Sequence, residues 1–105
     1  MAGSSAEWEK LAGWLARATG ADPELDAALA AAFDRPAAPF TASAEAARAL
    51  VTAVLPGRRL HVGFDATGIF PYASLGGDGE RSEAGAPTLP LAILRALAQA
   101  ARPHP

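Results

Sequence analysis

Apolar positions recur at helical three-and-four spacing in four stretches and at alternate positions in one, so the pattern predicts helices first, a hairpin after them, and a closing helix. Trp8, Leu11, Ala12, Leu15 and Ala18 form the stripe of a helix over about 6–19. Leu25, Ala28, Leu29 and Ala32 form that of a second, over about 23–33, whose many alanines predict a helix sandwiched between the first helix and another element. Ala47, Leu50, Val51 and Val54 mark a third over about 44–55, with Phe40 as an apolar anchor before it. Leu91, Leu94, Leu97, Ala98 and Ala101 mark the last, over about 89–101.

Between the third and fourth helices the period shortens to two. Leu60, Val62 and Phe64 alternate with Arg59, His61 and Gly63, as in a strand with one buried face. Asp65-Ala66-Thr67-Gly68 reads as a four-residue turn, and Ile69 to Leu75 as the returning strand of a hairpin over about 58–75. A tight turn sets Phe64 opposite Ile69 and Leu60 opposite Ala73, with His61 beside Tyr72 on the other face. Pro71 removes a ladder donor, which predicts a sheet edge or a bulge. Gly76 to Glu80 reads as a mobile loop, and a third strand near 81–86 is only weakly signalled.

The punctuation agrees with these elements. Ser4 and Glu7 have the spacing of a capping box; Asp22, Ser43 and Thr88 stand where N-caps belong; Pro23 fits a first helical position, and Pro90 a first turn. Gly20 is expected to end the first helix in the left-handed conformation, so that Gly20→Val destabilises the fold while Arg59→Ala leaves it intact. The elements make one α+β domain over residues 1–105, an α/β/α sandwich in which a small antiparallel sheet of two or three strands is flanked by about four helices. Residues 1–4 and 102–105 are expected to fray.

Composition removes several functions. A net charge of −2 gives no basic footprint for nucleic acid or an anionic membrane surface. No cysteine is present, which rules out disulfides, thiolate ligands and thiol nucleophiles and fits a cytoplasmic setting. No signal peptide or long apolar run is visible. His61 is the one histidine in a structured segment, so a metal site lacks ligands, and as a base it lacks an orienting carboxylate other than the turn residue Asp65. The glycine loop lacks the Lys-Ser/Thr of a phosphate cradle. No catalytic residue, metal or cofactor is expected.

A binding face is easier to build. Arg58 and Arg59 open the first strand, and His61 and Tyr72 share a face with Arg59, a grouping of guanidinium, imidazole and phenol suited to a small anionic or nucleotide-like ligand. The competing reading covers this face with a helix, leaving Phe70 and Tyr72 in the core and the arginines at its margin. Trp14 at the stripe edge and Phe70 on the hairpin are the candidate protein contacts; Trp14 alternatively covers the rim of the core.

Residues 15–20 with 24–30, Pro39-Phe40-Thr41-Ala42-Ser43 through Leu50-Val51 and Leu55-Pro56-Gly57, and Ala86 to Ala92 with Leu94-Arg95-Ala96-Leu97 together resemble the phage ABA-sandwich domain of bacteriophage and prophage proteins. The resemblance covers nearly the whole chain and is carried by caps, turns and small core residues. Family members often place an aromatic after the Pro-Gly and a cysteine in the last helix, where this chain has Arg58 and Ile93 or its neighbours. The resemblance implies a sheet with helices on both sides and supplies no catalytic residues. It leads to the expectation of a non-enzymatic phage accessory protein, homo-oligomeric, that binds or sequesters a ligand such as a nucleotide-type immune signal; the alternative is a structural or interaction module in phage assembly.

Overall fold

The computed structural model describes residues 5–77 and 79–101. The elements run α1 (Ser5–Arg17), α2 (Pro23–Phe33), α3 (Ala44–Val54), β1 (Arg59–Phe64), β2 (Pro71–Gly77), β3 (Glu80–Gly85) and α4 (Leu89–Ala100). The mixed α+β class, the four helices and the small antiparallel sheet agree with the sequence expectation. The Ser4 end of the capping box and the two ends expected to fray, 1–4 and 102–105, lie outside the described residues.

The local signals behave as their chemistry requires. Asp22 Oδ1 accepts from the amides of Glu24 and Leu25, Ser43 Oγ from Ala46, and Thr88 Oγ1 from Leu91, so three helices begin on a side-chain acceptor. Helix α2 ends on Asp34, a left-handed residue at φ 53° whose N–H returns to the carbonyls of Ala30 and Ala31. Gly20 departs from expectation. It is not among the positive-φ residues, and a Cβ built on it meets nothing within 4 Å, so the left-handed stop assigned to it is corrected.

Helix α1 is finished instead by a side chain from far along the sequence. Arg95 donates from Nε to Leu15 O (2.9 Å) and from Nη2 to Ala16 O (2.9 Å) and Ala18 O (3.1 Å), while its Nη1 reaches Gly85 O at the end of β3 (2.9 Å). A cation at a helix C-terminus meets both the dipole and the orphan carbonyls there. Burial pulls the Arg95 pKa below its ordinary value.

Helix α4 is the middle of the molecule. Leu91, Ala92, Ile93, Leu94, Ala96, Leu97 and Ala98 are all buried, more than a single stripe, because β2 and β3 lie along α4 and so do α1 and α3. Full burial of each leucine contributes about 2 kcal/mol. Ser82 Oγ donates to Ala96 O (3.0 Å) and ties β3 to this helix. The layer order is therefore sheet, α4, then α1 and α3. The element with neighbours on every side is α4, not α2 as its alanines suggested: α2 leaves Ala27 and Ala31 exposed and packs mainly on α1.

The sheet is a meander of order β1-β2-β3. Phe64 pairs with Pro71, Val62 with Ala73, Leu60 with Leu75 and His61 with Ser74, two residues away from the expected register. The Asp65 turn causes the slip. Gly68 (φ 74°) donates to Asp65 O, Thr67 donates to Asp65 Oδ1 through both its amide and its hydroxyl, and Asp65 N–H donates to Phe70 O, so Ile69 and Phe70 are drawn into the turn. A slip of two keeps every side chain on its face. Pro71 proves compatible with a central strand because it is the first residue of β2. Gly76 and Gly77, expected in a mobile loop, pair with Arg81 and Glu80, and the polar β3 becomes a full strand.

Candidate functional site

Alternation in the strands divides the sheet chemically. Leu60, Val62, Ala73, Leu75 and Ala84 belong to the hydrophobic core or pack on its margin. Arg59, His61, Tyr72, Ser74, Gly76 and Arg81 line a shallow groove of about 450 Å³ on the opposite face. Arg59, His61, Arg81 and Glu83 are exposed there. Among the described residues no helix lines this groove, and its polar side chains explain why none is needed.

Three of the four expected ligand residues meet in this groove: Arg59 and His61 from β1, Tyr72 from β2. Arg58 does not. It falls on the other side of the alternation, where its Cδ would lie 2.9 Å from a Cβ at Gly77. Arg81 was not anticipated, because the signal for β3 was faint, and the polar alternation of Arg81 and Glu83 around Ser82 was the available clue; Ser74 was readable, since it stands two residues after Tyr72 on the expected returning strand and so shares its face.

Each polar group has a definable state. Arg81 Nε donates to Ser74 Oγ (3.1 Å) and Nη2 to Glu83 Oε2 (3.0 Å), an exposed ion pair of small energetic weight that holds the guanidinium over the groove floor. Arg59, His61 and the Tyr72 hydroxyl make no hydrogen bond to any described residue. The Tyr72 ring lies across Gly63, its cross-strand partner. A Cβ at Gly63 would stand 3.0 Å from Tyr72 Cε1 and 3.1 Å from its hydroxyl oxygen, so glycine is what leaves room for the ring against β1. The hydroxyl of Ser74 faces the Arg81 guanidinium, and among the described residues no carboxylate is hydrogen-bonded to His61.

The two candidate protein contacts lie apart. Trp14 is half-buried at the core margin, and its indole N–H donates to Asp22 Oδ2 (3.0 Å). Phe70 is 53% exposed in the β1–β2 turn, beside Phe64 (62%) and Ile69 (68%), which form an apolar tip. A second cleft, between Trp14, Arg17 and the 18–23 corner, measures about 480 Å³ and is lined mostly by small residues and backbone.

Comparison with protein-family models, curated proteins and solved structures finds no match. Among the described residues no helix is long and apolar enough to cross a membrane.

Proposed function

We propose that the open sheet face binds a small anionic, ring-bearing ligand of nucleotide type and holds it without turning it over. The observation that carries this reading is the grouping of Arg59, His61 and Tyr72, whose donors engage no described residue, beside Arg81 on one solvent-open face. The guanidiniums supply charge-assisted hydrogen bonds to phosphate oxygens, and the flat Tyr72 ring supplies a stacking surface for a base. The setting, a phage or prophage accessory protein that sequesters a signal in the host cytoplasm, rests on the sequence resemblance alone.

Thermal shift and calorimetry with cyclic nucleotides and ADP-ribose-type compounds test it. Binding is expected to weaken with salt and to fall at least tenfold in Arg59→Ala and Tyr72→Ala, with the melting temperature of the free protein little changed. No shift at saturating concentration of every compound would sink the reading. A second reading, an interaction module in phage assembly, is favoured by the exposed tip of Phe64, Ile69 and Phe70.

A further inference from the structure

The two edges of the sheet are finished differently. Asp65 N–H donates to Phe70 O, and in an antiparallel ladder such pairs recur every second residue, so Arg59, His61 and Gly63 turn their backbone groups toward β2. Leu60, Val62 and Phe64 therefore turn theirs outward. The same reasoning from Ala86 N–H to Pro71 O directs Arg81, Glu83 and Gly85 outward from β3. The β3 edge carries two charged residues, and Arg95 takes the Gly85 carbonyl. On the β1 edge no hydrogen bond among the described residues reaches the outward groups of Leu60, Val62 or Phe64. An edge left this way is a template for another strand.

The side chains along that edge complement themselves. Laid antiparallel on a second copy about a two-fold axis at Val62, β1 sets Arg59 opposite Asp65, Leu60 opposite Phe64 and His61 opposite Gly63, each twice. The Arg59–Asp65 positions share the open face, and the Leu60–Phe64 positions share the helix-side face, where Phe64 is 62% exposed. Asp65 is suited to the role, since the Thr67 hydroxyl and the turn amides hold its carboxylate ionised and its pKa below the ordinary value. Slipping the axis to His61 sets imidazole against imidazole and puts Arg58 opposite Phe64, with no ion pair formed. A slip of one residue puts apolar side chains on the open face.

We propose that β1 is a homodimer edge, pairing with β1 of a second copy in the Val62-centred register to give a six-stranded sheet. Two Arg59–Asp65 ion pairs and two Leu60–Phe64 contacts fix the register. The pairing brings the two grooves onto one continuous face, with His61 of each copy over Gly63 of the other, next to the Tyr72 ring that lies there. Arg59 has five donors, enough for a partner carboxylate and a ligand anion together. The contact is at the small end of specific interfaces, so the dimer is expected to dissociate on dilution.

Sedimentation of the full chain over a range of concentrations is the first measurement, with twice the chain mass expected at high concentration. Arg59→Asp and Asp65→Arg each place like charges opposite each other twice, and each is expected to weaken association at least tenfold with the fold retained by melting and circular dichroism. Mixed in equal amounts, the two variants restore both ion pairs and are expected to form a heterodimer. Val62→Cys is expected to cross-link to a covalent dimer on oxidation, because paired residues across a two-fold stand within disulfide reach. A folded wild type that stays monomeric at every concentration overturns the interface. Dimerisation untouched by the charge reversals, or folded variants that fail to associate on mixing, overturns the register.

Discussion

Arg95 joins three elements: the last turn of α1, about eighty residues away, the end of β3 and the middle of α4. Its replacement by methionine keeps most of the apolar stem but takes the donor from the carbonyls of Leu15, Ala16, Ala18 and Gly85, at a cost of about 2–3 kcal/mol. Arg95→Met should therefore lower the melting temperature by roughly 10 °C or more. Arg95→Lys retains a cation near the helix end but cannot span carbonyls on two elements, so it should fall between methionine and wild type. Equal melting temperatures for all three would remove the staple. Nothing local announced this role: Arg95 sits within an apolar helical stripe and reads as one more arginine, because its α1 partners are about eighty residues away. Arg59, His61 and Tyr72 were legible for the opposite reason. Strand alternation alone assigns their face, and the two-residue slip in register preserved it.

At the scale of elements, the corner between α1 and α2 shows which signals are local and which are not. Asp22 as N-cap and Pro23 behind it were readable, since a cap needs only its own next turn. The rest of the joint is tertiary. Asp22 N–H donates to Thr41 Oγ1 (2.8 Å), the Thr41 amide donates to Asp26 Oδ1 (2.7 Å) and the Thr41 hydroxyl lies 2.8 Å from the same oxygen, while Trp14 closes the other side of Asp22. With Arg95 ending α1 and Thr41 fixing the start of α2, Gly20 has no conformational duty. Gly20→Val, expected from sequence to be damaging, should instead stay within about 0.5 kcal/mol of wild type by urea denaturation, and Gly20→Ala should equal or slightly exceed it through a less flexible unfolded chain. A loss above about 2 kcal/mol for either would return the glycine to its sequence-based role.

For the whole molecule, the layer order makes stability uneven in a definite way. Helix α4 has the sheet along one side and α1 and α3 along the other, with seven of its residues buried. Its position could not be read from its stripe, because a helix buried on all sides and a helix buried on one share the same leucines; only the alanines at 92, 96 and 98, small enough for close approach, hinted at neighbours all round. Helix α2 is held by Leu25 and Leu29, by α1 and by the Thr41 joint, and releasing it exposes far less apolar surface than releasing α4. Native-state hydrogen exchange should therefore show α4 and β2 amides exchanging only through global unfolding, with α2 opening at lower free energy. Thr41→Val leaves the Asp22 amide and the Asp26 carboxylate each short of a partner, worth about 1–2 kcal/mol. That loss should appear as faster exchange in α2 at low denaturant, with at most an equal shift in α4, since α4 reports the global equilibrium alone. Uniform protection across α2 and α4 in the wild type would mean that the outer helix and the central one open together, and the layered account of stability would be wrong.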